Sequence, residues 1–167
     1  METFLVFQHL RHQPLLVLDL LEVSLALEQT QHVAFLVLFG YTQCPDVCPT
    51  TMTELVEVKR LLGANGDKLQ AVFITVDPAR DTAELLGAYV TNFDPSFVAL
   101  IPTPQELVEV AKEFKIYYKK VDGKTPTSYT MEHSAGSYIF DGQGQVRLFT
   151  RSEEHTSELQ SLAYLVC

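Results

Sequence analysis

Seven consecutive apolar residues, Val33-Ala34-Phe35-Leu36-Val37-Leu38-Phe39, run into Gly40 and then into a loop carrying Cys44 and Cys48. A run that is apolar at both odd and even positions suits a central strand whose sheet is covered on both faces. After the loop, Met52, Leu55, Val56, Val58, Leu61 and Leu62 recur at helical spacing and stop at Gly63. Pro49 suits the first position of that helix, where a missing N–H costs nothing. The opening unit is therefore strand, cysteine loop, helix. Ligand and redox sites recur at such a strand's carboxyl end in open α/β sheets.

The alternation continues. Leu69–Val76 reads as a second strand ended by Asp77-Pro78, and Asp81-Thr82-Ala83-Glu84 as a capping-box-like start of a helix reaching about Asn92. Phe97–Ile101 is a short third strand. Thr103-Pro104-Gln105-Glu106 combines N-cap, proline and acid, and opens a helix through Phe114. Ile116–Val121 reads as an edge strand with its lysines in water. A polar loop, Asp122–Glu132, leads to strands Ser137–Phe140 and Gln145–Phe149, joined by the turn Asp141-Gly142-Gln143-Gly144. The fold class is α/β: a sandwich with a mixed central sheet and a C-terminal hairpin.

The 167 residues suffice for one domain with a real core, and 47% apolar with 20% charged residues is ordinary globular composition. The net charge of -9 argues against nucleic acid and against docking on anionic lipid through a basic patch. Residues 1–32 hold nine leucines and no glycine and fit neither period well, although a helix over Leu15–Leu27 is compatible with them. They read as a divergent or mis-translated segment before a domain over 33–151. Residues 152–167 resemble translated sequencing-adapter read-through, and we treat them as a non-native tail. That removes His155 and Cys167 from site reasoning. The longest apolar stretch, Pro14–Leu27, is broken by Asp19 and Glu22, so neither membrane anchor nor signal peptide is legible in this chain.

Three cysteines are too few to staple a scaffold, which points Cys44 and Cys48 toward chemistry. Each precedes a proline and is pushed from helical angles, so both are expected in a constrained loop. A helix amino end favours thiolate, whereas a nearby Asp46 carboxylate opposes a second negative charge. A strongly acidic thiol is therefore not the expected product of the loop, unless a bound cation removes the conflict. His133 joins the pair only through folding. Two thiolates and an imidazole suit Cu(I) and tolerate Cu(II). A structural zinc site would call for a fourth ligand, for which Met131 is the conceivable candidate. Asp77, at a sheet's carboxyl edge, is placed to contact the site loop, but it and Asp81 read first as turn or cap residues, with Arg80 placed to pair with either. Disulfide chemistry and metal binding both stay open on these residues alone.

Three blocks in order resemble the Sco/SenC family of copper-binding assembly proteins, which have a thioredoxin-like three-layer fold. They are Phe39-Gly40-Tyr41-Thr42-Gln43-Cys44-Pro45-Asp46-Val47-Cys48-Pro49, then Phe73-Ile74-Thr75-Val76-Asp77-Pro78-Ala79-Arg80-Asp81-Thr82, and finally His133-Ser134 before the hairpin. The resemblance covers roughly 33–151. It implies copper held by Cys44, Cys48 and His133, and a metallochaperone rather than an enzyme. It further implies copper delivery to, or thiol reduction of, the binuclear copper centre of cytochrome c oxidase subunit II. A copper donor or thiol reductant would be a second partner, and the location would be the periplasmic face of a bacterial inner membrane. Glu132 stands where the family more often has Asp before the histidine. The alternative function is a thioredoxin- or peroxiredoxin-like thiol–disulfide oxidoreductase using Cys44 and Cys48 as a redox-active pair. Against it, thioredoxin-type motifs place two residues, not three, between the cysteines.

Overall fold

The computed structural model describes residues 34–125 and 128–151. The expectations for residues 1–32 and 152–167 lie outside the described residues.

Strand β1, Ala34–Gly40, is buried along its whole length, as its continuous apolar run requires. It pairs in parallel with β2, Leu69–Thr75, and β2 pairs in parallel with β3, Val98–Leu100. On its other side β1 pairs antiparallel with β6, Gly136–Phe140, which continues antiparallel into β7, Val146–Arg151. Among the described residues the mixed sheet thus runs β3-β2-β1-β6-β7. The hairpin turn is built as its residues dictate. The Asp141 carboxylate accepts from the Gln143 and Gln145 amides, and Gly144 takes a positive φ of 74°.

Helices cover both faces. Alternate residues of β1 enter two separate apolar clusters because side chains along a strand point to opposite sides. Leu36 and Leu38 join Ala71 and Phe73 beneath α1, Val47–Leu62, and α2, Ala83–Thr91, through Met52, Leu55, Leu86 and Val90. Phe35, Val37 and Phe39 join Val72 and Ile74 beneath α3, Pro104–Glu113, through Leu107 and Ala111. The result is the expected three-layer thioredoxin-like sandwich. The third helix starts where its sequence says: Thr103 and Glu106 close a full capping box, and Pro104 follows the cap.

Three local expectations change. Helix α1 begins at Val47, so Pro49 is its third residue and Cys48 lies in its first turn instead of in the preceding loop. The first-turn N–H groups have no intrahelical partner, which makes proline tolerable there as well. Helix α2 is capped by Thr82, whose side chain accepts from the Leu85 amide, and not by Asp81. The polar stretch 122–132 is not all loop. Its end forms β5, Tyr129–His133, which pairs antiparallel with β4, Tyr118–Asp122. This ribbon is a second, two-stranded sheet separate from the main one, so the lysines of β4 do face water but not from the main sheet's edge.

Candidate metal centre

The ribbon solves the problem of bringing His133 to residues 85 and 89 positions earlier in the chain. Along β5, Tyr129, Met131 and His133 point toward the domain while Thr130 and Glu132 are exposed, as a two-residue period demands. His133 Nε2 lies 3.6 Å from Cys48 Sγ and 3.9 Å from Cys44 Sγ. The three ligand atoms all fall within 4.8 Å of one another. On the other side of the ring, His133 Nδ1 lies 3.1 Å from the Ser134 carbonyl, so Nε2 is the nitrogen on the sulfurs' side. Tyr41 packs edge-on to the imidazole at 5.8 Å between centroids.

Both cysteines are free thiols; Cys48 is buried and Cys44 half-buried. The neighbouring Cys48 thiol brings Cys44 down to about 4 against the opposing effect of burial. His133 and the amides of Cys48 and Asp46 add to that lowering. The same pairing, together with burial, pushes Cys48 up. The thiolate form is thus favoured at Cys44 and disfavoured at Cys48. The expectation that Asp46 would keep the loop from producing an acidic thiol is overturned. The Asp46 carboxylate is exposed and caps nothing, whereas its backbone amide faces the sulfur.

The second block holds this loop in place. Asp81 is 1% exposed and accepts from Thr42 Oγ1 at 2.6 Å, the Thr42 amide at 3.2 Å and Thr75 Oγ1 at 2.6 Å. It ties the cysteine loop to the end of β2. Asp77 accepts from the Tyr129 hydroxyl at 2.9 Å and is ion-paired with Arg80. Asp77 opens the expected turn, its carbonyl accepting from the Arg80 and Asp81 amides, and the carboxylates of both acids also clamp distant segments. Arg80 pairs with Asp77 and not with Asp81. Met131, the conceivable fourth ligand, packs into the apolar cluster beneath α3. Gly40 and Tyr41 were not singled out by residue-level reasoning. Their place beside the cysteine motif was the one available signal.

Known proteins share this chain's pattern. The SCO1/SenC family model matches residues 24–164. An SCO2-like protein of Rickettsia prowazekii is 37% identical over 111 residues, 66% of this chain and 54% of that protein. The mitochondrial SCO2 homolog of Homo sapiens is 34% identical over 131 residues, 74% of this chain and 48% of that protein. The chain thus spans about half the length of these relatives. Among solved structures, Bradyrhizobium japonicum ScoI with copper bound superposes with a TM-score of 0.71 at 37% identity, over 81% of this chain and 85% of that one. Copper-bound yeast Sco1 gives 0.69 at 28% identity, over 80% and 76%.

Proposed function

This chain belongs to the SCO1/SenC family, and on that premise we propose that it is a metallochaperone whose cargo is copper, held by Cys44, Cys48 and His133. The single observation that carries the reading is the convergence of two sulfurs and one imidazole nitrogen within 4.8 Å. Those donors fit the ion. Thiolate and imidazole are the soft and borderline ligands that Cu(I) takes, and imidazole also accommodates Cu(II).

Loading follows from the state of the thiols. Cys44 offers a thiolate directly, and Cys48 must give up its proton, so uptake releases a proton to solvent. Cys48 is the buried anchor, while the half-buried Cys44 and His133 form the side of the site from which an acceptor's ligands can exchange. The recipient we assign is the binuclear copper centre of cytochrome c oxidase subunit II, reached from the periplasmic face of a bacterial inner membrane. The similarity to copper-bound Sco proteins supports copper as the cargo, and the recipient and location rest on the family resemblance. Among the described residues no helix is long and apolar enough to cross a membrane.

The lowered Cys44 beside a protonated Cys48 also favours a second reading, a thiol–disulfide oxidoreductase. Cys44 would attack an external disulfide and release one thiol. Cys48 would then displace the mixed disulfide, leaving a Cys44–Cys48 bond and a second free thiol. Anaerobic copper titration of the reduced protein separates the readings. The wild type should take one ion per chain, and His133→Ala should bind about tenfold or more weakly. Equal stoichiometry and affinity in the two proteins would remove His133 from the site.

A further inference from the structure

The β4–β5 ribbon that delivers His133 is not hydrogen-bonded into the main sheet. Its histidine end runs through Ser134 and Ala135 into β6, which pairs with β1, and side-chain contacts add to that tether. Arg80 reaches both the ribbon and the cysteine loop. Its Nη1 donates to Gln43 Oε1 at 3.2 Å, one residue before Cys44, and to the Tyr129 carbonyl at 2.9 Å, on β5. Its Nε pairs with Asp77, whose other oxygen accepts the Tyr129 hydroxyl. Its guanidinium carbon lies 3.5 Å from the centroid of the Tyr129 ring and 5.7 Å from that of Tyr41, the ring that packs against His133.

This attachment is held at a cost. Arg80 Nη2 is buried with no hydrogen-bond partner among the described residues, a desolvation penalty for a charged group. What the penalty secures is a single planar group bonded to both ligand-bearing segments. A guanidinium suits that task because its donors are fixed in one plane and its face stacks on aromatic rings, neither of which an ammonium provides. Tyr129 and His133 share one face of β5, so holding the tyrosine sets the reach of the histidine.

We propose that Arg80 is a positioning residue of the metal centre: it latches the histidine strand to the cysteine loop and thereby keeps His133 Nε2 within reach of both sulfurs. The proposal rests on the three-ligand copper reading above. The effect of Arg80 on metal is expected through the placement of His133 against the cysteine loop that Gln43 belongs to. Removing it leaves the two thiols in the domain but releases the imidazole.

A double-mutant cycle tests this. Cu(I) affinity is measured by competition in reduced wild type, Arg80→Ala, His133→Ala and the double variant, with copper X-ray absorption to detect imidazole scattering. Arg80→Ala should bind about tenfold more weakly at unchanged stoichiometry and lose the imidazole signature. The double variant should bind no more weakly than His133→Ala. Arg80→Lys, which keeps the charge, should behave as Arg80→Ala does, and it replaces that variant in the cycle if the alanine protein does not fold. Losses that multiply in the double variant, or full imidazole scattering without Arg80, would overturn the latch while leaving the ligand set intact. A wild type that takes up no copper, or a His133→Ala protein that binds as the wild type does, would instead sink the copper reading and this proposal with it.

Discussion

Gly40 and Cys48 approach so closely that a Cβ on residue 40 would lie 2.5 Å from the Cys48 sulfur. The same atom would stand 2.8 Å from Phe73 Cζ. Neither side can yield easily. Gly40 ends a strand paired with β2 and accepts from the Val76 amide at 2.8 Å, while Phe73 is fully buried. Gly40→Ala should therefore cost about 1–3 kcal/mol in urea unfolding, the usual range for overpacking a dense core. It should also displace the buried ligand and weaken copper binding. A protein with unchanged midpoint and affinity would show that the sulfur has room to move.

Asp81 accepts three hydrogen bonds in a buried setting. Asp81→Ala should destabilise by about 2–3 kcal/mol, because Thr75 Oγ1 and the Thr42 groups lose a charged acceptor. Since Thr42 lies two residues before Cys44, copper affinity should fall in the same variant. Loss of stability with native affinity would confine Asp81 to the scaffold.

Thiol reactivity carries a signed pH prediction. Cys44 is held at about 4, so in reduced, copper-free protein it is already thiolate well below neutrality. Its alkylation by iodoacetamide should be nearly flat between about pH 6 and 8, where an ordinary thiol speeds up about tenfold per pH unit. The largest cause of the lowering is the Cys48 thiol. In Cys48→Ala the Cys44 pKa should rise and the ordinary pH dependence should return. A steep profile in the wild type would contradict the lowered Cys44.

A remote control comes from α3. Thr103→Ala removes the acceptor for the Glu106 amide and should cost about 1 kcal/mol. The capping box lies outside the site network, so copper affinity should be unchanged. A parallel loss of affinity would mean that global stability, not local geometry, governs metal binding in the other variants.

Much of the fold was readable from short stretches. The apolar run became β1, the Thr103 box opened α3, and the Asp141 turn closed the final hairpin. Each of these signals is complete within about ten residues. β5 was missed because Thr130 and Glu132 make its outer face polar, and its strand character depends on pairing with β4. The clamping contacts of the Asp77 and Asp81 carboxylates were not legible for a related reason. Their partners Tyr129 and Thr42 are 52 and 39 residues away, so nothing local distinguishes a clamp from a turn residue.

The amino-acid sequence by itself determined the strand–loop–helix order, because periodicity and capping are local properties of the chain, while the family and the three candidate ligands entered through the resemblance of its three motif blocks. Tertiary structure alone decided that the separate ribbon meets the cysteine loop, that Cys44 is shifted down and Cys48 up, and that Arg80 spans the two ligand-bearing segments. Distances of a few ångströms between distant residues arise only when burial and pairing close the chain on itself. Hydrogen-bond sharing and desolvation, which set the state of the thiols, have no value until it has closed.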